Sequence, residues 1–236
     1  MTAVPEAVGS TPRPQGATEI AFWPARCHTR AVVDRDADRL AHLPLAHQVQ
    51  ALESIVRCNP VVATVLDQLP ALNLGSWYIG AGGVAGTVWN HLHGFAPTHG
   101  IKDYDIVYFD ADDLSESAEK ALQARVTHLL GANGAVFDVT NEARVHTWYE
   151  QRFGRPLLPY RSVEHAIATW PATATSIGVR CDGGEFVVCA PFGLADLFAM
   201  VVRANTTLVD ERVYRAKAER WCRAWPRVTA LPWPAS

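Results

Sequence analysis

The stretch SWYIGAGGVAGTVWNHLHG, residues 76–94, decides how the rest of the chain is read. SWYIG is short, aromatic and β-branched, which predicts a strand ending at Gly80. From Gly82 to about His93 the period changes. Val84, Val88, Trp89 and Leu92 fall on one side of a helix, and Gly94 supplies its stop. A strand that runs through glycines into a helix is a phosphate-binding arrangement, because the backbone can come close and helix N-terminal amides attract negative charge.

Two kinds of site use such a loop. Gly80-Ala81-Gly82-Gly83-Val84-Ala85 satisfies G-x-G-x-x-[GA], the dinucleotide pattern, which needs a carboxylate at the end of the next strand. Asp110 is the residue at that position for an NAD-binding enzyme. A P-loop is a weaker match still, since no Lys-Ser or Lys-Thr follows the glycines.

The next strand, in KDYDIVYFD (102–110), points elsewhere. Side chains alternate along an extended chain, so Asp103 and Asp105 project from one side and Tyr104 from the other. Two carboxylates this close repel unless a cation neutralises them or one takes a proton. Mg²⁺, a hard ion that binds through one or two carboxylates plus substrate phosphates, suits them. A solvated turn has the same composition. Asp138 lies in AVFDV (135–139), a further predicted strand, and faces the same cleft if the two strands are neighbours.

Around this centre the periodicity predicts two helices over 45–69, with Asn59 and Pro60 opening the second. Asp113 or Ser115 caps a helix running to Leu130, a helix passes through 143–153, and Ser162 opens a short one that Pro171 ends. TSIGVR and EFVVCA form a hairpin across Asp182-Gly183-Gly184, and helices from Leu194 and about Leu208 follow. Residues 1–18, rich in Pro, Gly and Thr, read as a disordered tail, leaving 19–236 as one domain with helical additions at 45–69 and 194–228.

Composition narrows the class. The chain has 236 residues, of which 49% are apolar, enough for a substantial core. No apolar run is long enough to span a membrane, and five scattered cysteines without a Cys-x-x-Cys pair predict reduced thiols and a cytoplasmic protein. A net charge of −3 disfavours nucleic acid as a partner held by bulk charge. Yet between Arg203 and Arg227 seven basic residues stand against three acidic ones, which is either a solvated helix face or a wall facing a polyanion. His91, His93 and His99 invite zinc, but His91 and His93 are two apart on a helix and point in different directions.

GAGG, KDYDIVYFD and AVFDV, in that order, resemble the signature of the DNA polymerase β-type nucleotidyltransferase superfamily. DYDIVYFDADDLS, NEARVHTWY, PYRSVEHAIATWPATATSIGVR and APFGLADLFAM are similar to a narrower nucleotidyltransferase-like bacterial family, over roughly residues 45–228. The resemblance implies an α+β fold, a short mixed sheet flanked by helices, carrying a site for NTP and Mg²⁺ (or Mn²⁺). It implies that Gly82 and Gly83 approach the triphosphate with Thr87 one turn along, that Asp103, Asp105 and Asp138 are the metal ligands and catalytic acids, and that an NMP passes to an acceptor, most simply a small molecule, as pyrophosphate leaves. Lys102 reads as a phosphate contact or as charge compensation for the acids. Arg144 reads as a phosphate clamp or as the partner of Asp138 or Glu142. Two departures stand out: Ala85-Gly86 replaces an expected Arg-Asn pair, and Glu142 replaces an expected Gln. The first motivates an alternative, a noncatalytic nucleotide-binding accessory protein.

Overall fold

The computed structural model describes residues 37–131 and 134–235. The tail expected over 1–18 lies outside them. Helices α1 (Leu45–Val56) and α2 (Pro60–Gln68) lead through a 3₁₀ turn (Leu69–Leu72) into strand β1 (Trp77–Gly80) and helix α3 (Ala81–His93). Strand β2 (Tyr104–Tyr108), helix α4 (Glu116–Leu130) and strand β3 (Phe137–Asn141) follow. After a 3₁₀ turn (Glu142–Arg144) come α5 (His146–Phe153), α6 (Val163–Ile167), and the hairpin strands β4 (Gly178–Asp182) and β5 (Glu185–Cys189). The chain closes with α7 (Ala195–Phe198), β6 (Val201–Val202), α8 (Glu211–Ala224) and β7 (Thr229–Ala230). Among the described residues no helix is long and apolar enough to cross a membrane.

The main sheet has the order β3-β2-β1-β4-β5. β2 and β3 are parallel and every other pair is antiparallel, so the sheet is mixed, as expected. Alternation gives each strand two faces. Trp77, Ile79, Tyr104, Ile106, Phe137 and Val139 enter the large core, with α1 to α4 and α8 packed over them. Tyr78 and Val107 point the other way and meet Val163 and Ile167 of α6, a smaller cluster with Trp170 at its margin. Asp105 and Asp138, one residue out of phase with the core positions, belong to this second face.

Local chemistry fixes the ends of the elements. Asn59 caps α2, its Oδ1 accepting from Val61 N at 3.0 Å, while its Nδ2 donates to Thr87 Oγ1 at 2.8 Å and to Tyr104 Oη at 3.2 Å. It thereby ties α2, α3 and β2 together. Ser115, not Asp113, caps α4 by accepting from Ala118 N. Gly183 and Gly184, both at positive φ, make the two-residue turn of the hairpin. Trp89, fully buried, stands edge-on to Trp221 and Trp225 with centroids 6.1 and 5.3 Å away, anchoring α8 to α3.

Three boundaries differ from those read in the sequence. The helix from Leu194 is a single turn, because Met200 adopts φ +56 and its carbonyl accepts from Thr229 N, starting the β6-β7 pair. The last helix begins at Glu211, not Leu208, where Asp210 accepts from Val213 N at 2.8 Å. The helix expected over 143–153 is divided at Val145, since Asn141 caps the 3₁₀ turn that precedes α5.

Candidate active site

The turn from β1 to α3 is held by close backbone contacts. Gly80 is extended, at φ −155, and a Cβ there would collide with the carbonyl oxygen of Ile177 and lie 2.9 Å from Trp170 Cη2. Ala81 then takes φ +48, a left-handed conformation uncommon for a residue with a side chain, while its N–H donates to Ile177 O at 3.0 Å. This corner directs the chain into α3, whose N-terminus no side chain caps. A Cβ on Gly82 would meet nothing within 4 Å, whereas one on Gly83 would press on Tyr104 Cδ1 at 2.9 Å. Gly82 therefore fronts open space, and Gly83 permits α3 to lie against β2.

Strand register sets the acids beside this corner. Gly80 pairs with Asp105 across β1 and β2, and Asp105 pairs with Asp138 across β2 and β3. Adjacent strands lie about 4.8 Å apart, so the three residues form a row on one face. Asp103 precedes β2 on the same side. Asp138 is exposed, while Asp103 and Asp105 are half-buried. Burial, reinforced by the charges of Asp103 and Asp138, pushes the Asp105 carboxyl up to about 7, and Lys217 and Arg220 of α8 oppose that shift. The three expected acids thus share one electrostatic environment. Among the described residues no group of three or more His, Cys, Asp or Glu side chains closes into a metal-holding cluster as the chain stands.

The other predicted binding residues divide. Lys102 is exposed and lines a crevice with Gly82, Asp103, Arg220 and Trp221. Thr87 is 2% exposed and points into the molecule, its hydroxyl donating to Gly83 O at 2.7 Å and accepting from Asn59 Nδ2. It holds α3 to the cap of α2. Arg144 lies beyond the opposite end of β3, where it pairs with Glu119 Oε1 at 2.5 Å and donates to Leu114 O. Its partner is neither Asp138 nor Glu142.

Ala85 is buried in the core, and a Cβ on Gly86 would touch Ile101 and Trp225 at 3.0 Å. The positions where the family pattern carries Arg-Asn therefore face the core and Trp225. The dinucleotide alternative fails on strand direction: β1 and β2 are antiparallel, so the far end of β2 returns beside Ser76, away from the glycine corner. Asp110 accepts there from Asp112 N and Asp113 N as a local turn. The histidines make no zinc site, for His93 Nδ1 meets Trp89 O and its Nε2 accepts from Arg227 N.

Sequence reasoning did not single out Trp170, and it reached Lys217 and Arg220 only within a basic stretch. Trp170 overlies Gly80 and also hydrogen-bonds Glu142. Glu142, 6% exposed, lies in the field of Asp105 and Glu119, and burial pushes its carboxyl up to about 8. The resemblance singles out Glu142 as a departure from Gln, and strand alternation, counting 138, 140 and 142, puts it on the acids' side.

The mixed sheet carries a glycine corner beside Asp105 and Asp138 on neighbouring strands, with Asp103 just ahead of the first of them. Residues 67–230 match the family described as nucleotidyltransferase, and the chain belongs to that family. A solution NMR structure described as revealing a CCA-adding enzyme head domain has the same fold, with a TM-score of 0.64 and 22% identity. That match covers 78% of this chain and 95% of the other. No curated protein matches the chain.

Proposed function

We propose that the chain transfers an NMP from an NTP to a hydroxyl or phosphate of an acceptor, releasing pyrophosphate, with Asp103, Asp105 and Asp138 as the metal-binding acids. The row Gly80, Asp105, Asp138 across three strands is the observation that carries this reading. The donor chemistry fits Mg²⁺ or Mn²⁺: three carboxylates on one face, two of them half-buried and repelling one another, supply hard oxygens and a charge that a cation would relieve. An all-protein cage is not needed, because Mg²⁺ completes its octahedron with water and substrate phosphate. When bound there, a pair of such ions would neutralise charge developing on the attacking and leaving oxygens.

The chain's own residues supply position. The Gly82 amide, at the uncapped start of α3, donates to phosphate oxygen, and the space above Gly82 admits it. Asp138, the most exposed acid, stands on the acceptor side and takes the proton of the incoming hydroxyl. Its neighbours Asp105 and Asp103 stay on the triphosphate side. Catalysis here rests on orientation and electrostatics. The acceptor is most simply a small molecule, since the overall charge of −3 offers little attraction to a nucleic acid.

The noncatalytic alternative drew on Ala85-Gly86, and those positions face the core. Incubation with labelled ATP, CTP, GTP and UTP, Mg²⁺ or Mn²⁺ and candidate acceptors tests the reading. Pyrophosphate release that vanishes in Asp105→Asn supports transfer, whereas tight NTP binding without release by the unaltered chain would reject it.

A further inference from the structure

We infer that Lys217 and Arg220 of α8, together with Lys102, grip the β and γ phosphates of the triphosphate and hold the departing pyrophosphate. This deepens the transfer reading and rests on it for the identity of the anion. The crevice beside the glycine corner has Gly82, Lys102 and Asp103 on one side and Arg220, with Trp221, on the other. Lys217 is three residues before Arg220 and so on the same face of α8. Its charge reaches both Asp105 and Asp103. Lys102 and Arg220 thus line the crevice from two separate segments, with Lys217 one helical turn before Arg220.

Simple neutralisation of the acids does not account for them. Neither Lys217 nor Arg220 closes an ion pair or side-chain hydrogen bond with a described residue, whereas Arg215 on the same helix is held 2.6 Å from Glu211. Lys217 is nevertheless half-buried, and burial and the charge of Arg220 disfavour its charged form against the attraction of Asp105 and Asp103. Nor is α8 loosely attached. Trp221 and Trp225 are locked against Trp89, and Trp225 Nε1 donates to Asn90 Oδ1 at 2.6 Å. The helix therefore presents its cations from a fixed position, which is what a preorganised anion site requires.

The reaction supplies the need. The acceptor oxygen bonds to the α phosphorus, the bond from that phosphorus to the bridging oxygen breaks, and the electron pair leaves with pyrophosphate as the acceptor proton passes to Asp138. Negative charge accumulates on the β phosphate as the bond breaks, facing Lys217 and Arg220.

Equilibrium binding of inorganic tripolyphosphate and of monophosphate, each with Mg²⁺, to the full chain tests the assignment, with pyrophosphate release from the four NTPs followed in parallel. Arg220→Ala and Lys217→Met should each weaken tripolyphosphate binding about 10- to 100-fold, the worth of a charge-assisted hydrogen bond. Lys217→Arg should restore most of it, and Arg223→Ala, exposed on the same helix, should change it less than about twofold. Arg220 is exposed, so its substitution leaves a folded protein even if Lys217→Met does not. Tripolyphosphate affinity unchanged in Arg220→Ala and in any folded Lys217 variant overturns the inference, as does failure of the unaltered chain to bind tripolyphosphate. Tripolyphosphate binding lost in these variants, with no pyrophosphate release from any NTP by the unaltered chain, sinks the transfer reading and leaves the anion site standing.

Discussion

Asp105 and Asp138 are register partners on the two parallel strands of the sheet, so their side chains leave the same face one strand apart. Like charges so placed destabilise the fold that holds them, and Asp103 adds a third. Asp105→Asn should therefore abolish pyrophosphate release, by a factor on the order of 10² or more, while raising the melting temperature by a few degrees. Calorimetry beside the activity assay checks both halves; a variant that is inactive because it is unfolded would contradict the relationship.

Glu142 gives a pH signature. Its carboxyl is pushed from about 4.5 in the unfolded chain up to about 8 in the fold, because burial favours the neutral form. A raised folded value means stability is fully present below about pH 4.5 and declines as pH rises toward about 8. At about 1.4 kcal/mol per unit, the loss over this window is on the order of 3–5 kcal/mol. Glu142→Gln should leave stability unchanged at pH 4 and be more stable than the unaltered chain at pH 8. Denaturant midpoints across this range test it, and parallel pH profiles would refute it.

The glycines of the corner should separate structure from function. Gly80→Ala forces a methyl into Ile177 O and Trp170, and overpacking of this kind costs roughly 1–3 kcal/mol or more. Gly82→Ala meets no neighbouring atom within 4 Å, so its fold should persist while NTP affinity falls. Urea melts and nucleotide titrations of the two variants distinguish the effects.

Thr87 and Arg144 should behave as structural residues. Thr87→Val removes the hydroxyl that accepts from Asn59 and donates to Gly83, at a cost of about 1–3 kcal/mol. Arg144→Ala leaves the nearly buried Glu119 without its ion-pair partner, and should be destabilising by a similar amount. NTP affinity within a fewfold of the unaltered chain is expected for both; a loss of tenfold or more with an intact fold would return them to the binding site.

Much of this was legible along the chain because it depends on neighbours in sequence. The strand, glycine corner and helix of 76–94 follow from period and composition, and alternation alone puts Asp103 and Asp105 on one side. Caps at Asn59 and Ser162 and the Gly183-Gly184 turn express local hydrogen bonding and backbone sterics. What the chain could not reveal is which strands pair, in which direction, and what packs across them. The antiparallel pairing of β1 with β2 removed Asp110 from the glycine corner, the parallel register of β2 with β3 brought Asp138 to Asp105, and the packing of α8 on Trp89 carried Lys217 and Arg220 toward Asp105 from more than a hundred residues away. Thr87 and Arg144 illustrate the converse: one turn of helix or a few residues of strand is near in sequence, yet burial turned Thr87 inward and the length of β3 carried Arg144 to its far end. Local periodicity determines which face a side chain takes; only long-range packing, which minimises the apolar surface left exposed to water across the whole chain, determines what that face meets.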